Sequence, residues 1–181
     1  MKASDWKIGT RIAMMAASLL VLFVVLGGFT WRSLSADAER LNASNEQSRQ
    51  FQQAIDLARS AQVTFKIQVQ EWKNFLLRGG DPEAHAKYKK GFVKEGEETQ
   101  AKLKQLKALS QELNLPLNGV DEALASHDKL QGKYTEAMSH YDVANADASA
   151  HALDKMVKGI DRAPTAQIDT IVAEVLKASS Q

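Results

Sequence analysis

Cysteine is absent from the 181 residues. Disulfide frameworks, thiolate zinc sites, iron–sulfur clusters, thiol nucleophiles and thioether-linked haem are therefore excluded. Proline occurs 3 times and glycine 10 times, so little interrupts a helix. An excess of one charge is also missing: 23 Lys and Arg face 22 Asp and Glu. Binding along nucleic-acid phosphates needs a basic face that displaces counterions, so no nucleic-acid partner is expected. No glycine-rich phosphate loop follows a strand pattern, and no nucleophile elbow, HExxH or Glu-x-x-His motif occurs. His85, His127, His140 and His151 never stand four apart. His127 reads as a hydrogen-bonded core residue, and Glu97-Glu98 as part of a solvated charged face. No enzyme activity, metal or cofactor is expected.

What is present is helix-forming: Ala, Leu, Lys, Gln and Glu abound. Ile12 to Phe29 reads IAMMAASLLVLFVVLGGF, without a charge. Crossing a bilayer takes roughly 17–25 such residues. Lys2, Lys7 and Arg11 precede the run, which places the N-terminus in the cytoplasm and the remainder outside. Trp6 and Trp31 flank it as interfacial indoles. The organisation expected is residues 1–11 cytoplasmic, 12–31 transmembrane and 32–181 a domain outside the cytoplasm. The alternative is a cleaved signal peptide, with Ser35-Ala36-Asp37-Ala38 as its cleavage site.

Downstream, apolar positions recur in sevens. One row runs Leu34, Leu41, Ser48, Ile55, Gln62, Val69, Leu76, and a second Asp37, Ser44, Phe51, Ala58, Phe65, Trp72. Together they predict one long helix with a seam interrupted by Ser44, Ser48 and Gln62, suited to weak homodimerisation. Gly79-Gly80-Asp81-Pro82 signals a stop and restart: glycine for a left-handed helix end, Asp81 as cap, Pro82 at the first position. The second helix carries Phe92, Thr99, Leu106 and Leu113 beside Tyr88 and Leu103, and ends at Asn114–Gly119. The third starts near Val120 and shows Leu130, Ala137 and Ala144 beside Tyr134 and Tyr141. Asn145–Ser149 is a boundary. The fourth carries Val157, Ile160, Ile168, Ile171 and Val175, with Pro164 predicting a kink or break. The fold class is all-α: an N-terminal transmembrane helix continuing into an up-down-up-down antiparallel four-helix bundle. Roughly ten further residues would let the fourth helix regain the bilayer, so a second crossing is expected beyond Gln181.

The stretch AQVTFKIQVQEWKNFLLRG from Ala61 to Gly79, followed by Asp81-Pro82 and Lys87-Tyr88, resembles the sensory domains of methyl-accepting chemotaxis proteins. Val157-Lys-Gly-Ile-Asp-Arg162 with Pro164-Thr165 is similar to the fourth-helix signature of the same group. The resemblance implies a homodimeric receptor that binds a small ligand, or a liganded periplasmic binding protein, outside the cell. A displacement of helix four then controls chemotaxis signalling. The sensor of a membrane histidine kinase or diguanylate cyclase would share this layout. A membrane-anchored interaction protein without a small ligand is the third reading.

Candidate ligand-binding residues lie in the distal half of the bundle. Arg162, beside Asp161, is the principal anchor for a small organic anion or amino acid, because a guanidinium grips a carboxylate with two prongs. Its expected depth is level with Val63–Lys66, making Lys66 and Gln70 its partners. Trp72, Arg78 and Tyr88 form a separate distal cluster, with Lys73 and Asn74 nearby. Lys66, Gln70 and Lys73 are not expected to share one face.

Overall fold

The computed structural model describes residues 8–117 and 119–180. Lys2, Trp6 and Lys7 of the membrane reading, and Asn118 of the second loop, lie outside the described residues. All regular structure among the described residues is helical: α1 (Ile8–Arg78), α2 (Pro82–Glu112), α3 (Val120–Ser139), α4 (Ala146–Val157) and α5 (Arg162–Ala178). A 3-10 turn at Val143–Asn145 joins α3 to α4. The chain divides into two compact units, one up to Ser48 and one from Arg49 onward.

The first unit is the N-terminal part of α1. It holds an apolar window long enough to cross a membrane, with none of that window buried. Phe23, Val24, Phe29 and Trp31 are each at least 70% exposed. Such exposure is stable only in a non-aqueous surrounding or against another apolar surface.

The second unit buries one core. On α1 the buried residues are Ala54, Ala58, Ala61, Phe65, Gln68, Trp72 and Phe75. Their spacing alternates four and three, which is one stripe of a helix. It contains the Ala58-Phe65-Trp72 row and adds a row at 54, 61, 68 and 75. The row Ile55, Val69, Leu76 is only half-buried and flanks the core. From α2 come Tyr88, Phe92, Thr99, Leu103, Leu106 and Leu109, and from α3 Val120, Ala123, His127, Leu130, Tyr134 and Ala137. Each fully buried leucine or phenylalanine contributes about 1.5–3 kcal/mol. Aromatic rings fill the distal end: Trp72 and Tyr134 lie 4.6 Å apart, Phe92 meets Tyr134 edge-on at 5.4 Å, and Phe75 meets Tyr141 at 4.9 Å.

The connections follow local chemistry. Asp81 caps α2, its Oδ1 accepting from the Ala84 amide at 2.7 Å, and Pro82 starts the helix. Gly79 is not left-handed as expected, since Gly159 alone among the described glycines has a positive φ. Gly79 is needed for room: a Cβ there would collide with the Phe75 carbonyl and the Tyr141 ring. Helix α3 ends at Ser139, so Ala144, expected inside it, falls in the 3-10 turn and is exposed. Asp142 organises that turn by accepting from the Ala144 amide and the Asn145 side chain. The hydrogen bonds from those two groups hold its carboxyl below the usual range.

The expected fourth helix is broken in two. Lys158–Asp161 form a turn with Gly159 at φ +76°. Pro164 then sits in the first turn of α5, where its missing amide costs nothing. Leu153 and Val157 of α4 and Pro164, Ile168, Ile171 and Val175 of α5 complete the core.

Candidate functional site

A direct polar contact ties α5 to α1. Gln62 Nε2 donates to Asp169 Oδ1 at 2.6 Å. Arg162 lies seven residues before Asp169, two turns back on the same stripe. Following antiparallel α1 by the same seven residues reaches Val69. Arg162 thus stands about one turn more distal than the expected level of Val63–Lys66. The cause is the Lys158–Asp161 turn, which uses residues without advancing along the axis as helix would.

Lys66, Gln70 and Lys73 are spaced four and three, so they do share one stripe of α1, contrary to expectation. All three are exposed, as is Arg162. Gln70 Nε2 reaches Asn74 Oδ1 at 3.5 Å along this outer face. No ion pair occupies Lys66, Lys73 or Arg162 among the described residues. Arg162 opens α5, and its guanidinium runs beside Gly159. Asp161 faces elsewhere. Its carbonyl accepts from the Thr165 hydroxyl at 2.6 Å, and its carboxylate lies near Tyr134. Burial first, then the charges of Asp161 and Asp154, push the Tyr134 phenol well above its ordinary range.

The distal cluster is partly assembled. Arg78 Nη1 donates to the Tyr88 hydroxyl at 2.8 Å, and its guanidinium lies 5.9 Å from the ring centre. Trp72 does not join them. It is 3% exposed and packs between Phe75 and Tyr134, a core residue as its place in the row with Ala58 and Phe65 implies, and not the ligand-facing one of the candidate site.

A buried polar layer was not foreseen as a unit. His127 is fully buried, in agreement with its reading as a core residue, and both ring nitrogens are engaged. Gln100 Nε2 lies 3.0 Å from the Leu124 carbonyl and 3.0 Å from His127 Nδ1. The carbonyl contact fixes that nitrogen as the donor, so Nδ1 accepts. His127 Nε2 therefore carries the proton and donates to Gln68 Oε1 at 2.8 Å. Burial lowers the His127 pKa from 6.5 to about 4, partly opposed by Asp128. Gln68 is fully buried and its Nε2 has no protein partner. That nitrogen lies against Gly96, where a Cβ would collide with it and with the Gln131 carboxamide. Below this layer, the Thr99 hydroxyl donates to Thr64 Oγ1 at 2.8 Å. A single glutamine, Gln68, in the otherwise Ala/Phe row at 54, 61, 68 and 75 was the available signal.

The sequence matches the family described as "Tar ligand binding domain homologue" over residues 2–179. The chain belongs to that family. As a Tar ligand-binding-domain homologue it is a sensory domain of the chemoreceptor type. It is also similar to "Methyl-accepting chemotaxis protein CtpH" of Pseudomonas aeruginosa, with 37% identity over 127 residues. That alignment covers 70% of this chain and 22% of the relative. The chain thus spans less than a quarter of the length of the curated relative it matches. No solved structure matches it.

Proposed function

We propose that this chain is the ligand-binding, extracytoplasmic part of a membrane receptor that controls chemotaxis. The family match over residues 2–179, which takes in the apolar segment as well as the bundle, carries this reading. The exposed apolar window on α1 supports a retained span over residues 12–31. Its preceding cations, with Arg11 nearest, favour a cytoplasmic N-terminus and a periplasmic bundle. The receptor acts as a homodimer, and ligand occupancy displaces α5 relative to α1 by a small step between packed arrangements.

The ligand of this reading is a small organic anion or amino acid on the α1/α5 seam, held by Arg162 with Lys66, Gln70 and Lys73. Three cations without ion-pair partners among the described residues, on facing stripes, support it. Arg78 and Tyr88, satisfied by each other, play a lesser part. The test is calorimetric titration of the full chain in lipid nanodiscs against a panel of organic acids and amino acids. A ligand found there should lose at least about tenfold in affinity in Arg162→Ala, about 1.4 kcal/mol, with the circular-dichroism melt retained. Unchanged affinity in Arg162→Ala would move the site off this seam.

A further inference from the structure

The helices of the bundle are fastened in two different ways. Helices α1, α2 and α3 meet through buried polar groups. His127 of α3 joins Gln68 of α1 at 2.8 Å and Gln100 of α2 at 3.0 Å, and Thr99 of α2 donates to Thr64 of α1 at 2.8 Å. Gln68, Thr99 and His127 are fully buried and Thr64 nearly so. Sliding any one of these helices would strand polar groups where water cannot replace the lost partner. Their axial register is therefore fixed.

Helix α5 is held by other means. Its buried side chains, Pro164, Ile168, Ile171 and Val175, are all apolar. Such contacts press a helix against its neighbours but have no directional bond that specifies a level. Two hydrogen bonds at the rim of the core do specify one. Gln62 of α1 donates to Asp169, and the Ser126 hydroxyl of α3 donates to Gln167. Residues 167 and 169 stand about 3 Å apart along the axis and about 200° apart around it. The bonds therefore grip the two flanks of α5 at one height, and an axial step strains both together. Asp169 is exposed, and Gln62, Ser126 and Gln167 are half-buried. Water can take over a broken bond at such sites, so opening them costs far less than opening the buried layer. One turn toward either end, the flank facing Ser126 carries Ala163 or Ile171, whose side chains accept no hydrogen bond. Both bonds thus close together at a single level. Beyond the distal end of α5, the Lys158–Asp161 turn with its left-handed Gly159 separates it from α4.

We propose that Gln62–Asp169 and Ser126–Gln167 form a latch that sets the resting register of α5 against a fixed frame of α1, α2 and α3. Its part in signalling rests on the reading given above, in which α5 is the helix that moves. Two solvent-reachable bonds release for a small input and re-form when it ends, while the buried layer keeps the frame still.

The test follows α5 in the full chain in lipid nanodiscs with no ligand added. Because cysteine is absent, spin labels attach at introduced cysteines alone. Leu77, Ala173 and Glu122 are exposed positions for them. Leu77→Cys with Ala173→Cys spans the bundle lengthwise from α1 to α5, and Leu77→Cys with Glu122→Cys spans it from α1 to α3. Labelled chain is diluted into unlabelled chain, and electron–electron distance measurement reads each pair. Asp169→Ala with Gln167→Ala should shift or broaden the α1–α5 separation by about 1–2 Å and leave the α1–α3 separation unchanged. Asp169→Asn with Gln167→Glu, which keeps both acceptors, should retain the separation of the unsubstituted chain. An α1–α5 separation unmoved by the alanine pair overturns the proposal. So does a conservative pair that behaves like the alanine pair, or a shift of both label pairs together, since the frame is then not fixed. Circular-dichroism melts identify a variant that fails to fold; Gln62→Ala, which opens the α1 side alone, then takes its place under the same outcomes. No ligand enters this comparison, so it fails independently of the displacement reading. That reading falls instead if a ligand found by calorimetry leaves the α1–α5 separation unchanged in the chain without latch substitutions.

Discussion

At the scale of single residues, His127 sets the pH response of the bundle. It is buried and neutral, with a pKa lowered from 6.5 to about 4 by desolvation. The unfolded chain takes up this proton first as pH falls. The stabilising contribution is therefore complete above 6.5 and disappears between 6.5 and 4, amounting to about 3 kcal/mol. Thermal melts of wild type and His127→Gln between pH 7 and 4 check this; the wild type should show the steeper decline by about that amount. Parallel curves would refute it. Gly96 makes a sharper steric claim. Gly96→Ala should destabilise by about 1–3 kcal/mol, since its Cβ runs into two carboxamides; chemical denaturation measures it.

Much at this scale was unreadable from the sequence. That His127 is buried follows from its place on the apolar side of α3, beside Leu130 and Tyr134. That it meets Gln68 and Gln100 depends on axial register between three helices. Heptad spacing fixes which residues face inward and leaves that register open. The stripe of Lys66, Gln70 and Lys73 was legible from spacing, and the level of Arg162 was not, because it hangs on the shape of one turn.

Among the elements, that turn is the decisive one. Pro164 announced a break, and the break occurs before it, at Lys158–Asp161, because proline in the first turn of a helix needs no amide bond. Gly159 carries the left-handed conformation at φ +76°. Gly159→Ala should cost about 1–2 kcal/mol, and Gly159→Asn less, as asparagine tolerates this region. A denaturant midpoint unchanged in Gly159→Ala would show that the turn relaxes into continuous helix. The α1–α2 corner was legible at Asp81 and Pro82, which occupy the cap and first position that their identities demand, but not at Gly79, which is there for room and not for a left-handed turn.

At the scale of the whole molecule, the helical fold class followed from composition and period, and the helical window long and apolar enough to cross a membrane from its charge-free run. Gln62, expected in the dimer seam, is engaged by Asp169 within the bundle. The unpartnered face of α1 instead shows Ile67 at 41% and Leu77 at 81% exposure. A fragment of residues 32–181 should self-associate weakly in sedimentation across a concentration series, and Ile67→Glu should shift it toward monomer. A fragment that stays monomeric at the highest concentration would count against dimerisation through α1. Topology has its own check: alkaline phosphatase fused at Gln111 should be active, and activity of a cytoplasm-dependent reporter at that position would reverse the orientation.

The polar layer also supplies a native spectroscopic probe. Of the four histidines, His127 is the one whose ring is wholly enclosed, and its hydrogen bonds select a single tautomer. Its Nε2 proton is shielded from solvent, so exchange with water is slowed to the pace of local opening. A nitrogen-15 spectrum of the imidazoles should then show one directly bonded Nε2–H signal that persists at neutral pH. The position of that signal reports the Gln68 contact, and its lifetime reports the separation of α1 from α3. Both can be followed in the intact chain without adding a label that perturbs the packing.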